Sequence, residues 1–147
     1  MATSKVHPAL KAVEKSGAQK VKVAVSDIDG ILRGKYLHID KFKGAAEPYP
    51  AGGFGFCDVV LGWDSNDQLY EQPGVEYTGW HTGYPDAPVR VLADTCRELP
   101  YEDGMLIFLG EFTDEAEGIC PRGILRRVLE YAAEQGLEAK AAFEYEF

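Results

Sequence analysis

At 147 residues, 46% hydrophobic, 12% aromatic and 27% charged, the chain has the composition of one ordinary domain, or of a small domain and the start of another. That composition excludes a disordered tail, a collagen-like rod and a coiled coil, and a chain this long can bury a core without disulfide staples. Fifteen Lys and Arg against twenty-four Asp and Glu leave a net charge of −9, which argues against a nucleic-acid binder with its basic face.

The charge is unevenly spread. Residues 1–43 hold nine Lys and Arg against four Asp and Glu, whereas residues 44–147 hold six against twenty. Such a split would suit head-to-tail self-association, but on charge alone a dipolar, solvated surface is the first reading. Cys57, Cys96 and Cys120 are odd in number and widely spaced, with no CxxC pair. Disulfide frameworks and zinc clips therefore fit poorly, and a reducing compartment is expected. The N-terminus lacks the apolar stretch of a secretory signal, and the longest aliphatic-aromatic run, Met105 to Leu109, is too short to span a bilayer. The expectation is a soluble, cytoplasmic chain with no membrane partner.

In chain order, residues 8–15 read as a short helix ending near Gly17. Val21, Val23 and Val25 alternate at period two, so one face of a strand over 20–26 is apolar. Asp29-Gly30 signals a hairpin turn, and Ile31 to Ile39 returns as the second strand. Residues 44–88, dense in Gly, Pro and aromatics, read as loops around short strands. Val89 to Ala93 and Met105 to Phe112 are further strands, joined through Pro100 and Asp103-Gly104. Pro121 opens a helix with Gly136 at its C-terminal end, and Ile124, Leu125, Val128, Leu129 and Ala132 form an apolar stripe along it. Residues 138–147 read as a last strand. The fold class is α+β with a βαβ-like tail.

Glu144-Tyr145-Glu146 is the sharpest chemical constellation. On a strand, i and i+2 face the same way, placing both carboxylates about 7 Å apart on one face. Such a pair suits Mg²⁺ or Mn²⁺ together with phosphate oxygens, and it equally describes an exposed acidic strand face. Asp27-Ile-Asp29-Gly30 resembles the first motif of haloacid-dehalogenase-type phosphatases, in which one Asp attacks phosphorus and the other moves a proton. Ile31 stands where those enzymes carry Thr, and after residue 43 the chain's one lysine is Lys140. A hairpin turn with polar corners accounts for the same residues. No P-loop or GxGxxG is present, and His7, His38 and His81 are scattered as structural or surface histidines. Arg122, Arg126 and Arg127 crowd the first turns of the 121–135 helix, against its dipole. The Asp114/Glu115/Glu117 cluster or a bound anion would offset them.

Read together, several stretches resemble glutamine synthetase. They are Pro85-Asp86, Val89 to Leu92, the 105–112 strand, Pro121-Arg122-Gly-Ile-Leu-Arg126-Arg127 and Phe143-Glu144-Tyr-Glu146-Phe147. Asp27-Ile-Asp-Gly-Ile-Leu-Arg-Gly-Lys35 looks like the first hairpin of that family's N-terminal β-grasp domain, and Gly55 to Asp64 and Thr78 to Asp86 resemble its divergent branch. The resemblance implies a β-grasp domain over 1–118, then the first helix and metal-ligand strand of the catalytic domain over 119–147. It covers nearly the whole chain and about the first third of the family's length.

The implied activity is an ATP-dependent ligase joining the glutamate γ-carboxylate to ammonia or an amine through γ-glutamyl phosphate. The implied cofactors are Mg²⁺ or Mn²⁺ with ATP as substrate, and Glu144 and Glu146 hold metal. The family's assembly implies a homo-oligomeric ring, with Asp58 and Asp64 as cross-subunit catalytic candidates. The family's Asp-Gly-Ser-Ser element is replaced by Gly55-Phe56-Cys57-Asp58, which points away from ammonia as the acceptor. The 147 residues alone are expected to be inactive. Two other classes stay open, a non-catalytic β-grasp interaction module and the phosphatase built on Asp27 and Asp29.

Overall fold

The computed structural model describes residues 8–70 and 76–146. Helix α1 (Pro8–Ser16) leads into strand β1 (Lys20–Ser26), and β2 (Leu32–His38) returns antiparallel to it, pairing Val23 with Lys35 and Val25 with Arg33. Gly30 makes the turn possible because its φ of 83° lies where side-chain-bearing residues are strained. A short helix α2 (Ile39–Ala45), of which sequence reasoning took Ile39 as the end of a strand and assigned no helix to the rest, follows directly and buries Phe42. Then come β3 (Phe54–Cys57), a 3-10 turn at Asp58–Gly62, and the long hairpin of β4 (Asp86–Leu99) and β5 (Met105–Phe112). β4 is longer than its apolar core because a register shift between Leu92 and Arg97 lets it run on past the irregularity.

These strands form one mixed sheet in the order β2-β1-β5-β4-β3. β1 and β5 are parallel at its centre, and the other pairs are antiparallel. The α+β class is thus what forms. Val21, Val23 and Val25 project from one face, as their alternation predicts, and pack with Phe42, Phe54, Phe56, Phe108 and Phe112 in one core. The rings of Phe42 and Phe108 lie 4.5 Å apart between centroids.

Arg33 and Lys35 share that inward face with Leu37, an unusual place for cations. The ammonium of Lys35 donates to the Gly55 carbonyl at 2.9 Å and lies 4.6 Å from the Phe56 ring centroid. Lys35 is on β2 and Gly55 on β3, the two outer strands, so the sheet curls until its edges meet across this side chain.

A second 3-10 turn (Asp114–Gly118) precedes helix α3 (Pro121–Glu134). α3 starts on Pro121 and stops at Gly136, whose φ is 75°, with the Leu137 amide reaching back to the Ala132 carbonyl at 2.9 Å. The strand expected over 138–147 does not form. Residues 138–146 have no strand or helix, and Phe147 lies outside the described residues. A strand needs a neighbour for its backbone groups, and among the described residues none is laid beside this segment.

Candidate functional site

The β1–β2 hairpin tip and the loop after the first 3-10 turn are fastened together. Asp27 is fully buried. Its Oδ1 accepts from the amides of Asp29 (3.0 Å) and Ile31 (2.9 Å), and its Oδ2 from Arg33 Nε (2.9 Å). The same guanidinium donates to Asp67 Oδ1 at 2.6 Å and the Asp64 carbonyl at 2.7 Å, and it lies 4.8 Å from the Trp63 ring centroid. Asp29 accepts from the Ser65 amide at 2.9 Å. A phosphatase nucleophile must expose a carboxylate oxygen in line with phosphorus. Asp27 has both oxygens occupied and no exposed surface, so the geometry favours the hairpin-corner reading.

Asp64 ends the same segment in a comparable state. Its Oδ1 accepts from the amides of Asn66 (2.9 Å) and Gln68 (2.8 Å), and its Oδ2 from the Tyr70 hydroxyl (2.9 Å). The Gln68 amide first, then the Tyr70 hydroxyl, the Asn66 amide and Arg33, hold its carboxyl below the usual range, while burial pushes the other way. The Tyr70 hydroxyl is held up in turn by donating to this carboxylate. This aspartate is spent on ordering its own loop.

Asp58 begins that segment, and its environment is the reverse. It is 1% exposed, and its Oδ1 has no hydrogen-bond partner among the described residues. The nearby Thr78 hydroxyl is buried, close enough to Asp58 to favour its charged form yet short of full hydrogen-bond geometry. Burial raises the Asp58 carboxyl above its ordinary value; Thr78 offsets part of this, and the Asp86 carboxylate adds repulsion. Tyr77 is pushed up by burial and then by Asp58, Glu115 and Asp114, so the surroundings are acidic. The segment 77–85 runs past Asp58: the Asp58 amide donates to the Pro85 carbonyl at 3.0 Å, and Cys57 Sγ approaches the Tyr84 carbonyl at 3.4 Å. Trp80 sits edge-on to Tyr84 in that segment, 5.3 Å between centroids. A buried acid with an unengaged oxygen beside a second acid can accept a proton or hold a cationic group.

Glu144 and Glu146 are exposed on the unpaired tail, beside Phe143 and Tyr145 at 87% and 81% exposure. Among the described residues no group of three His, Cys, Asp or Glu is placed to hold a metal ion. Two carboxylates leave most of an octahedral shell unfilled, so the residues present do not by themselves fit Mg²⁺ or Mn²⁺. The arginines of α3 have another explanation. Buried Glu111 takes Arg90 (2.7 Å) and Arg122 (3.3 Å), and Glu117 pairs with Arg126. Glu117 belongs to the acidic cluster expected to offset them, whereas Asp114 accepts from the Tyr49 hydroxyl instead. Glu111 was missed by sequence reasoning because its place opposite Arg90 depends on a strand register that shifts between Leu92 and Arg97.

No protein-family model matches the chain. It is 40% identical over 141 residues to type-1 glutamine synthetase 2 of Dictyostelium discoideum, covering 94% of this chain and 26% of that protein. It is 30% identical over 138 residues to a glutamate–isopropylamine ligase of Pseudomonas sp, covering 92% and 29%. Its fold is similar to a solved structure of GmaS with ADP, with a TM-score of 0.60, 17% identity, and coverage of 86% and 26%. The chain thus spans roughly a quarter of the length of the proteins it matches.

Proposed function

We propose that this chain, which belongs to the glutamine synthetase family, serves as the N-terminal part of an ATP-dependent ligase joining the glutamate γ-carboxylate to an amine. The observation that carries the reading is the match along 94% of the chain to a glutamine synthetase, with a second to a ligase whose acceptor is isopropylamine. On this reading residues 1–118 are a β-grasp domain, and 119–147 begin the catalytic domain. ATP phosphorylates the γ-carboxylate, the amine nitrogen attacks the acyl phosphate, and phosphate leaves as the C–N bond forms.

The two aspartates then take different parts. Asp64 sets the loop through its three acceptor contacts. Asp58, 1% exposed in the lone chain, reaches the acceptor amine of a neighbouring subunit only when the 77–85 segment beside it shifts, its Oδ1 then taking an N–H as the nitrogen gives up a proton. An amine site needs local negative charge, and Asp58 with Asp86 supplies it. Glu144 and Glu146 enter metal ligation only alongside carboxylates from elsewhere in the protein.

The test is ATP-dependent phosphate release by a ligase polypeptide carrying this region, with glutamate and either ammonium or isopropylamine, in the presence of Mg²⁺ or Mn²⁺. Release that requires both glutamate and an amine is expected, and Asp58→Asn raises the KM for the amine more than that for glutamate. Glutamate-independent hydrolysis, or no release with either acceptor, overturns the reading.

A further inference from the structure

The chain contains two Asp-Gly pairs, Asp29-Gly30 in the β1–β2 turn and Asp103-Gly104 in the β4–β5 turn. Such a pair can react with itself. Glycine has no side chain to shield its nitrogen or restrict its backbone, so that nitrogen can reach the preceding aspartyl carboxyl. The Gly N–H gives up its proton, a Cγ–N bond forms, and the carboxyl oxygen leaves as water. Water then opens the succinimide ring at either carbonyl. One opening returns aspartate, and the other leaves isoaspartate, with the main chain routed through Cβ.

The two pairs are held very differently. At the first, both reacting groups are engaged: the Asp29 carboxylate accepts from the Ser65 amide at 2.9 Å, and the Gly30 amide donates to the Asp27 carbonyl at 3.1 Å. At the second, neither is. Asp103 is exposed, and its carboxylate has no hydrogen-bond or ion-pair partner among the described residues. The turn is closed by the Met105 amide on the Glu102 carbonyl at 2.9 Å, which leaves the Gly104 N–H without an acceptor among those residues. Asp103 also sits at a φ of 50°, where a residue with a side chain is strained. Tyr101 in the same turn is 99% exposed, so water has open access.

We infer that Asp103 is a self-modifying site, converting to isoaspartate in the folded chain with water as its co-reactant, while Asp29 is spared. The product adds one methylene to the main chain of a tight turn. It also frees an α-carboxylate, the group that isoaspartyl-specific carboxyl methyltransferases accept as substrate. The effect reaches beyond the tip. Glu102, the preceding residue, receives the Lys22 ammonium of β1 and the Tyr36 hydroxyl of β2, so this turn is tied to both strands. The inference stands apart from the ligase reading.

The test is prolonged incubation of the folded chain at neutral pH, then trypsin and electron-transfer mass spectrometry, which distinguishes isoaspartate from aspartate. Residues 23–33 and 98–122 are released as separate peptides with one Asp-Gly pair each. Breaking even one of the two hydrogen bonds at Asp29-Gly30 adds to the barrier there, so isoaspartate should form about tenfold faster at 103 than at 29. In guanidinium chloride the two rates should converge, because the contacts that spare Asp29 are gone. Asp103→Glu, which can close only a larger ring, should abolish the signal in its peptide and leave that at 29 unchanged. Equal rates in the folded chain, or a faster rate at 29, overturn the inference. So does isoaspartate at 103 that forms in denaturant and not in the folded chain. A gap that persists undiminished in denaturant overturns the hydrogen-bond protection as its cause.

Discussion

Asp58 and Asp64 stand at the two ends of one short segment, both buried, and the protein treats them in opposite ways. Around Asp64 both carboxylate oxygens have donors, and the guanidinium of Arg33 joins that loop to the hairpin tip. Around Asp58 one oxygen has no partner among the described residues, and the neighbouring charge is of the same sign. A buried acid that accepts several N–H groups organises structure. One kept short of donors beside a second acid is destabilising, and is retained where a ligand or proton completes it. The contrast separates a positioning acid from a candidate functional one without reference to any relative.

The largest expected effect strikes the clamp at its root. Asp27→Ala removes three acceptor contacts at once, leaving two amides without that acceptor and Arg33 held only by Asp67 and the Asp64 carbonyl, so unfolding in urea should show a loss of about 2–4 kcal/mol. Asp27→Asn keeps one acceptor oxygen and should lose less. A change within experimental error for Asp27→Ala would mean the clamp adds nothing, and the comparison with Asp58 would lose its reference.

A smaller loss is expected for Asp64→Ala, with a characteristic pH dependence. The carboxyl of Asp64 lies below its ordinary range when folded, so its contribution is present above the unfolded value and disappears as pH falls through the folded one. The urea midpoint of the unaltered chain should therefore drop on acidification through and below the carboxylate range. The Asp64→Ala midpoint should be lower at neutral pH and converge on it in acid. Curves that stay parallel would show that the charge of Asp64 is not what its donors hold.

Lys35→Met separates the curl of the sheet from its core. The thioether stem can still cover Phe54 and Phe56, but the contact to the Gly55 carbonyl and the cation over the rings are gone. A loss of about 1 kcal/mol is expected, with faster amide exchange in β3 than in β5. Equal exchange in both strands would show that the edges meet without this side chain.

Much of this was legible before the structure, where one local pattern decided the outcome. The valine alternation of β1, the Asp29-Gly30 turn, the Pro121 start and the Gly136 stop are local signals, and each produced the expected element. The clamp was less legible because it is a long-range arrangement. The second strand was expected over 31–39, yet the partners of its Arg33 and Lys35, namely Gly55, Asp64 and Asp67, lie far along the chain. α2 was missed because its seven residues make fewer than two turns and include Gly44, so the Ile39–Phe42–Ala45 spacing is too short a run to mark a helix. The tail reads as a strand by alternation alone, and alternation cannot supply the neighbour that a strand requires.

The smallest effect is the most informative about Asp58. Its carboxyl is raised when folded, so its contribution is greatest below the unfolded value and is lost as pH rises through the folded one, the reverse of Asp64. Asp58→Asn removes the charge that burial and Asp86 disfavour, and its amide can donate toward the Thr78 hydroxyl. At neutral pH the urea midpoint should stay level or rise, by less than about 1 kcal/mol, and the difference from the unaltered chain should shrink on acidification. The pair of pH profiles, Asp58→Asn against Asp64→Ala, should therefore diverge from the unaltered chain in opposite directions at neutral pH. A neutral-pH loss for Asp58→Asn as large as that for Asp64→Ala would make Asp58 another structural acceptor. The proposed contact with an amine would then lose the buried, unengaged oxygen on which it rests.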